Sequence, residues 1–67
     1  MEDKLMAICI FEDQIHAVSR VNSVAARMCA AEMQILLERF RRDELTVDEC
    51  AELMTRVMVD YMGMVLQ

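Results

Sequence analysis

Polar and apolar residues recur with a helical period through the first two thirds of the chain. On a helical wheel of about 100° per residue, the polar side chains share one arc of roughly 120°. They are Glu12, His16, Ser19, Arg20, Ser23, Arg27, Gln34, Glu38 and Arg41. Most of the remaining circle is apolar, nearly twice the stripe of about 100° that an ordinary surface helix buries. We therefore expect this helical segment to be covered on two sides.

The end of this segment and the start of another are marked near residue 42. Three arginines lie there, where the negative end of a helix dipole favours cations. Thr46 then offers an N-cap oxygen, and Glu49 stands three residues later, as in a capping box. The pattern predicts a short turn at 43–46 and a second helix over about 47–66.

These elements predict one all-α domain over residues 1–67, folded as a helical hairpin. Its first helix would run over about 3–42. Two alternatives stay open. Asn22 and Ser23 both favour helix N-termini, so a break near 22–23 would give a bent three-helix monomer. Residues 5–11 form a short apolar run with several β-branched side chains, which is also compatible with a strand.

The unequal helix lengths predict a partner chain. A helix over 3–42 would be about 60 Å long and the second about 30 Å. The second helix would then leave half of the first uncovered, centred on residues 8–18. We therefore expect a homo-oligomeric helical bundle, a dimer or higher. The predicted interface residues are Ile8, Phe11, Ile15, Val18, Val21, Ala25 and Met28.

Chain length and cysteine count favour the same conclusion. A chain this short buries only about 60% of its unfolded surface, and small domains are usually stabilised by disulfides, a metal or oligomerisation. Cys9, Cys29 and Cys50 are odd in number and far apart, and His16 is the single histidine. No disulfide framework, metal site or cofactor is predicted, which leaves oligomerisation.

The net charge of −5 is unevenly distributed. Acidic residues predominate before residue 20 and after residue 42, and five arginines lie between. This acid–base–acid order favours antiparallel pairing of chains. No apolar run is long enough to span a membrane, and the first four residues lack the basic start of a signal peptide. We expect a cytoplasmic protein with reduced thiols and no membrane partner.

Two sets of side chains are candidates for catalysis or for ligand binding. Cys9 and His16 lie two helical turns apart, roughly 10 Å, too far for a nucleophile and its base, so no enzyme is predicted. Arg20, Arg27 and Arg41 share one stripe, as candidate contacts for an anion or a partner. The alternative is a solvated outer face. The acidic net charge and the lack of an aromatic residue on that stripe argue against nucleic acid.

The sequence therefore predicts a small, non-enzymatic protein-interaction module of the adaptor, chaperone or inhibitor type. It would act as a helical oligomer on a protein target through its broad apolar face. The alternative is an oligomer that binds or sequesters a small anionic ligand, such as a nucleotide, through the arginines. A DNA-associated regulator is the third and least favoured hypothesis.

Overall fold

Three helices account for most of the chain in a computed structural model, which describes residues 2–63. They are α1 (Glu2–Ser19), α2 (Val24–Arg41) and α3 (Val47–Met62). The described residues contain no strand, so the all-α prediction is confirmed. Residues 5–11 belong to α1, and the strand alternative is wrong. The predicted end of the last helix, at residues 64–66, lies outside the described residues.

The first helical segment is divided in two, contrary to the prediction of one helix over 3–42. Ser23 is the N-cap of α2, with extended backbone angles of φ −153° and ψ 158°. Its hydroxyl oxygen accepts a hydrogen bond from the amide N–H of Ala26, at 3.0 Å. This bond satisfies an amide that the first turn of a helix leaves without a backbone partner. The molecule is consequently a three-helix chain and not a two-helix hairpin.

The connection between α2 and α3 contains the capping box expected from the sequence. Thr46 Oγ1 accepts from the amide of Glu49 at 3.1 Å, and Glu49 Oε1 accepts from the amide of Thr46 at 2.8 Å. At its other end α3 is closed by Gly63, whose φ of 63° is left-handed. Glycine adopts this conformation without a steric cost.

Helix α2 lies in the middle, because α1 and α3 both pack against it and contact each other little. Each neighbour runs antiparallel to α2. Lys4, near the start of α1, pairs with Asp43 just beyond the end of α2. At the other junction, the thiol of Cys50 in the first turn of α3 lies 3.9 Å from the carbonyl oxygen of Leu36.

The core is formed by the sides of the helices that face one another. Phe11 and Phe40 meet edge to face, with ring centroids 5.5 Å apart, a favourable geometry for aromatic pairs. The buried apolar residues are Ala7, Phe11, Ile15, Val18, Ala26, Cys29, Ala30, Met33, Leu37, Phe40, Cys50 and Met54.

This core includes part of the predicted interface between chains. Phe11, Ile15 and Val18 are each only 4% exposed, and Ile8 is half-buried against the same core. The break at 20–23 lets α1 fold back on α2, so these side chains are covered within one molecule. The predicted difference in length between two helices, on which their assignment to another chain was based, is therefore absent.

Candidate interaction surface

Apolar side chains line the face of α2 that α1 and α3 leave exposed. Val24, Met28, Ala31 and Ile35 follow one another at spacings of four, three and four residues, which places them on one helix face. Val24 is 69% exposed, Met28 50% and Ile35 62%, and Ala31 is also exposed. We call these four residues the α2 stripe.

The stripe is a second apolar face on a helix that already has one. The side of α2 that faces the core is formed by Ala26, Cys29, Ala30, Met33, Leu37 and Phe40. Single exposed apolar residues are ordinary on protein surfaces, but contiguous apolar patches commonly mark binding sites. Helices α1 and α3 cover only one of these two faces.

Polar residues border the stripe on both edges. The exposed side chains of Arg27, Gln34 and Glu38 lie along one edge. Glu38 pairs with Arg42 at 3.6 Å. On the other edge, Arg39 pairs with Glu44 at 3.3 Å. An apolar centre with a polar rim is the usual anatomy of a protein–protein interface.

Glu32, also on that second edge, accepts a hydrogen bond from the hydroxyl of Tyr61 and so joins α2 to α3. This bond raises the pKa of Tyr61, and partial burial and the negative charge of Glu32 raise it further. The phenol must keep its proton to donate this bond. The contact helps to hold the edge of the stripe in place.

A groove between α2 and α3 continues the apolar surface beyond the stripe. This open groove has a volume of about 500 Å³ and is lined by four apolar and three charged residues. Its lining residues are Glu32, Ile35, Leu36, Leu53, Arg56, Val57 and Asp60. Ile35 belongs to both features, so a partner that covers the stripe also borders this groove.

Helix α1 carries a separate apolar patch on its own outer side. Leu5 and Met6 are each 64% exposed and Ile10 is 53% exposed. Acidic side chains flank the patch, with Asp3 three residues before Met6 and Asp13 three residues after Ile10. The patch is therefore apolar at its centre and negative at both ends.

The predicted interface residues thus separate into two groups. Val21 and Met28 are 45% and 50% exposed, and Ala25 is half-buried beside them. The remaining members lie in or against the core. Sequence reasoning left Val24 and Ile35 out of the interface, although a helical wheel restricted to 24–41 separates their face from the core face.

The three candidate arginines are not brought together in the chain. Arg41 at the end of α2 is paired with Glu12 of α1. Arg20 lies in the α1–α2 connection, at the opposite end of α2, about 25 Å away by the helical rise. Among residues 2–63, Arg20 and Arg27 make no ion pair. The chain therefore does not form a three-arginine anion site by itself.

The cysteines and the other potential ligands offer little reactive chemistry. Burial raises the pKa of the Cys29 and Cys50 thiols, and nearby Glu32 adds to the effect on Cys29. Both are consequently held as thiols, whereas the thiolate is the nucleophile and metal ligand. Within the described part of the chain, no three His, Cys, Asp or Glu side chains are grouped to hold a metal ion.

A shallow depression of about 420 Å³ lies where α1 begins and α2 turns into α3. Lys4 lies within it, pairs with Asp43 and sits 5.5 Å from the ring centroid of Phe40. Its charge is therefore already matched inside the chain, and the remaining charged residues lining the depression are acidic.

None of the described helices has both the length and the apolar character needed to cross a membrane. Comparison with models of protein families, with curated proteins and with solved structures found no match for this chain. Its function must therefore be inferred from its own surface, on which the α2 stripe is a continuous apolar face of one helix.

Proposed function

We propose that this chain is a non-enzymatic protein-interaction module that binds another protein chain through the α2 stripe. The observation that carries the proposal is the exposure of Val24, Met28 and Ile35 on one face of α2. Burying a side chain of this kind contributes about 1.5 to 3 kcal/mol. Three of them on a preformed helix supply enough apolar contact for the centre of an interface.

The titratable groups support a binding role over a catalytic one. Lys4, Glu12 and Arg41 are engaged in ion pairs between elements of the fold. The two buried thiols carry raised pKa values and stay protonated. All three cysteines are free, which is typical of a reducing compartment, and on this ground we assign the protein to the cytoplasm.

The proposal is tested by capture from an extract of the native host with tagged protein. Three baits are compared: the unmodified chain, Ile35→Lys, and Ile10→Lys as a matched control on the patch of α1. Proteins retained by the unmodified chain and by Ile10→Lys, untagged copies of the chain included, should be lost with Ile35→Lys. Equal retention by all three baits would overturn the assignment to the α2 stripe.

A second candidate is an oligomer that binds a small anion. It is supported by Arg20 and Arg27, which make no ion pair among residues 2–63 and whose positive charges are therefore available. A thermal shift with ATP should then raise the melting temperature, and Arg27→Ala should remove the effect. Arg56→Ala is the control, because Arg56 is exposed and paired with Glu52 on α3. No shift in the unmodified chain rejects this candidate.

A further inference from the structure

We propose that the α2 stripe binds the α2 stripe of a second copy, with the two helices antiparallel. The chain is then a two-fold symmetric dimer with α2 at its centre and α1 and α3 on the outside. This inference rests on the proposed function and names its partner.

The spacing of the stripe is that of a coiled-coil seam. Steps of four, three and four residues are the alternating a and d positions of a heptad. Val24 and Ala31 occupy one kind of position and Met28 and Ile35 the other. From Val24 to Ile35 the seam is about 17 Å long. It is short, so packing against an identical seam must use its full length.

Side-chain volume favours the antiparallel orientation. When two antiparallel seams are aligned over their full length, Val24 lies opposite Ile35 and Met28 lies opposite Ala31 of the second copy. Each larger side chain then meets a smaller one, the arrangement that fills a packed layer without voids. A parallel pair would instead face Met28 with Met28 and leave a gap between two alanines.

Charge complementarity favours the same orientation. The next position of the seam after Ile35 is Glu38, the exposed edge residue that also pairs with Arg42 on its own helix. In a parallel pair the two Glu38 carboxylates would face each other, and like charges at an interface are costly. In the antiparallel pair Glu38 lies beyond Val24 of the second copy, near the α1–α2 connection that carries Arg20. Arg27 lies along the edge opposite Gln34, whose amide oxygen is an acceptor.

The apolar patch of α1 is a weaker candidate for self-association. Asp3 and Asp13 flank Met6 and Ile10 and are exposed. Two copies joined through this patch would bring acidic groups together on a chain whose net charge is already −5. The border of the α2 stripe lacks this repulsion, because it is basic at one end, with Arg20 and Arg27, and acidic at the other, with Glu38, so an antiparallel pair brings opposite charges together.

Sedimentation equilibrium over a range of micromolar concentrations tests the dimer. The unmodified chain and Ile10→Lys should sediment as dimers, and Ile35→Lys as a monomer of unchanged helicity by circular dichroism. Ala31→Arg is the second variant, because its position is exposed and arginine favours helix; it too should be monomeric. An unmodified chain that stays monomeric overturns the dimer, while host proteins captured through Ile35 would still uphold the proposed function.

Cysteine cross-linking tests the orientation. In a Cys9→Ser background, Val24→Cys and Ile35→Cys chains are mixed, equilibrated and treated with a short bismaleimide. The antiparallel dimer predicts mixed cross-links between the two variants. Cross-links of Val24→Cys with itself would establish a parallel pair, and no cross-link at all would reject the interface. Thr55→Cys, exposed on α3, is the control and should give no dimer.

A charge exchange provides an independent check. Glu38→Lys should weaken the dimer, because the new lysine lies near Arg20 of the second copy. Combining it with Arg20→Glu should restore the dimer. A double variant no stronger than Glu38→Lys alone would contradict the predicted neighbours.

Discussion

Buried and exposed cysteines give this chain three thiols of different reactivity. Cys29 and Cys50 are fully buried in the core, and Cys9 faces solvent on α1. A disulfide reagent such as DTNB should therefore modify one thiol in the native protein and three in concentrated urea. Cys9→Ser should remove the native reaction. Rapid modification of two or more thiols without denaturant would contradict this packing.

Tyr61 provides a pH-dependent probe, because it is the single tyrosine of the chain. Its hydrogen bond to Glu32 raises its pKa above the ordinary value of 10.0. The bond's contribution to the free energy of unfolding is thus fully present below pH 10 and is lost as pH rises through the raised pKa. Ultraviolet titration should show this raised pKa, and Glu32→Gln should lower it. The same titration curve in both proteins would exclude the contact.

At the scale of elements, helix caps decide where the helices begin. Ser23→Ala removes the acceptor for the Ala26 amide and should lower the free energy of unfolding by about 1 kcal/mol. Ser19→Ala is the matched control, since Ser19 donates only to the carbonyl of His16 at the exposed end of α1. Urea denaturation compares them. Equal losses in the two variants would show that the cap at Ser23 contributes nothing of its own.

The two helix boundaries differed in how well the sequence predicted them. Thr46 and Glu49 form a local motif, and all of its hydrogen bonds lie within four residues, so the start of α3 could be predicted. The sequence predicts the boundary at Ser23 only as an alternative, because the apolar period continues through it, with Val21, Val24 and Met28 in phase. Only the packing of α1 back onto α2 decides that α1 ends at Ser19 and that Ser23 caps a new helix.

At the scale of the whole molecule, stability depends on a small core. A chain of this length is expected to have a free energy of unfolding of about 3 to 10 kcal/mol. Met33 is fully buried, and Met33→Ala should cost about 2 to 5 kcal/mol, a large part of that total, and should lower the melting temperature markedly. Thermal melts followed by circular dichroism measure this loss.

The matched control for Met33 is Met6→Ala on α1, where the side chain is 64% exposed. It should change the melting temperature by little, because a surface truncation removes few contacts. Equal destabilisation by the two substitutions would mean that the core is not centred on α2.

The position of α2 between its two neighbours also determines which surface is left for a partner. α1 and α3 cover its core face, and the α2 stripe stays open on the other. The sequence correctly indicated more apolar surface than one ordinary helix face. The prediction placed this additional apolar surface on residues 8–18, because it assumed one long helix. The burial of Phe11 and Ile15 against Phe40 and its neighbours depends on how the helices fold together, which the helical period does not show.

Properties that depend on nearby residues can be read from the sequence: helix over nearly the whole described chain, the capping box of Thr46 and Glu49, and an apolar surface broader than one helix face. These follow from local hydrogen bonds and from the helical period. The tertiary structure alone decided which apolar face is buried and which is exposed. The wheel of α2 carries two such faces, and only the folding back of α1 and α3 onto one of them leaves Val24, Met28 and Ile35 in contact with solvent.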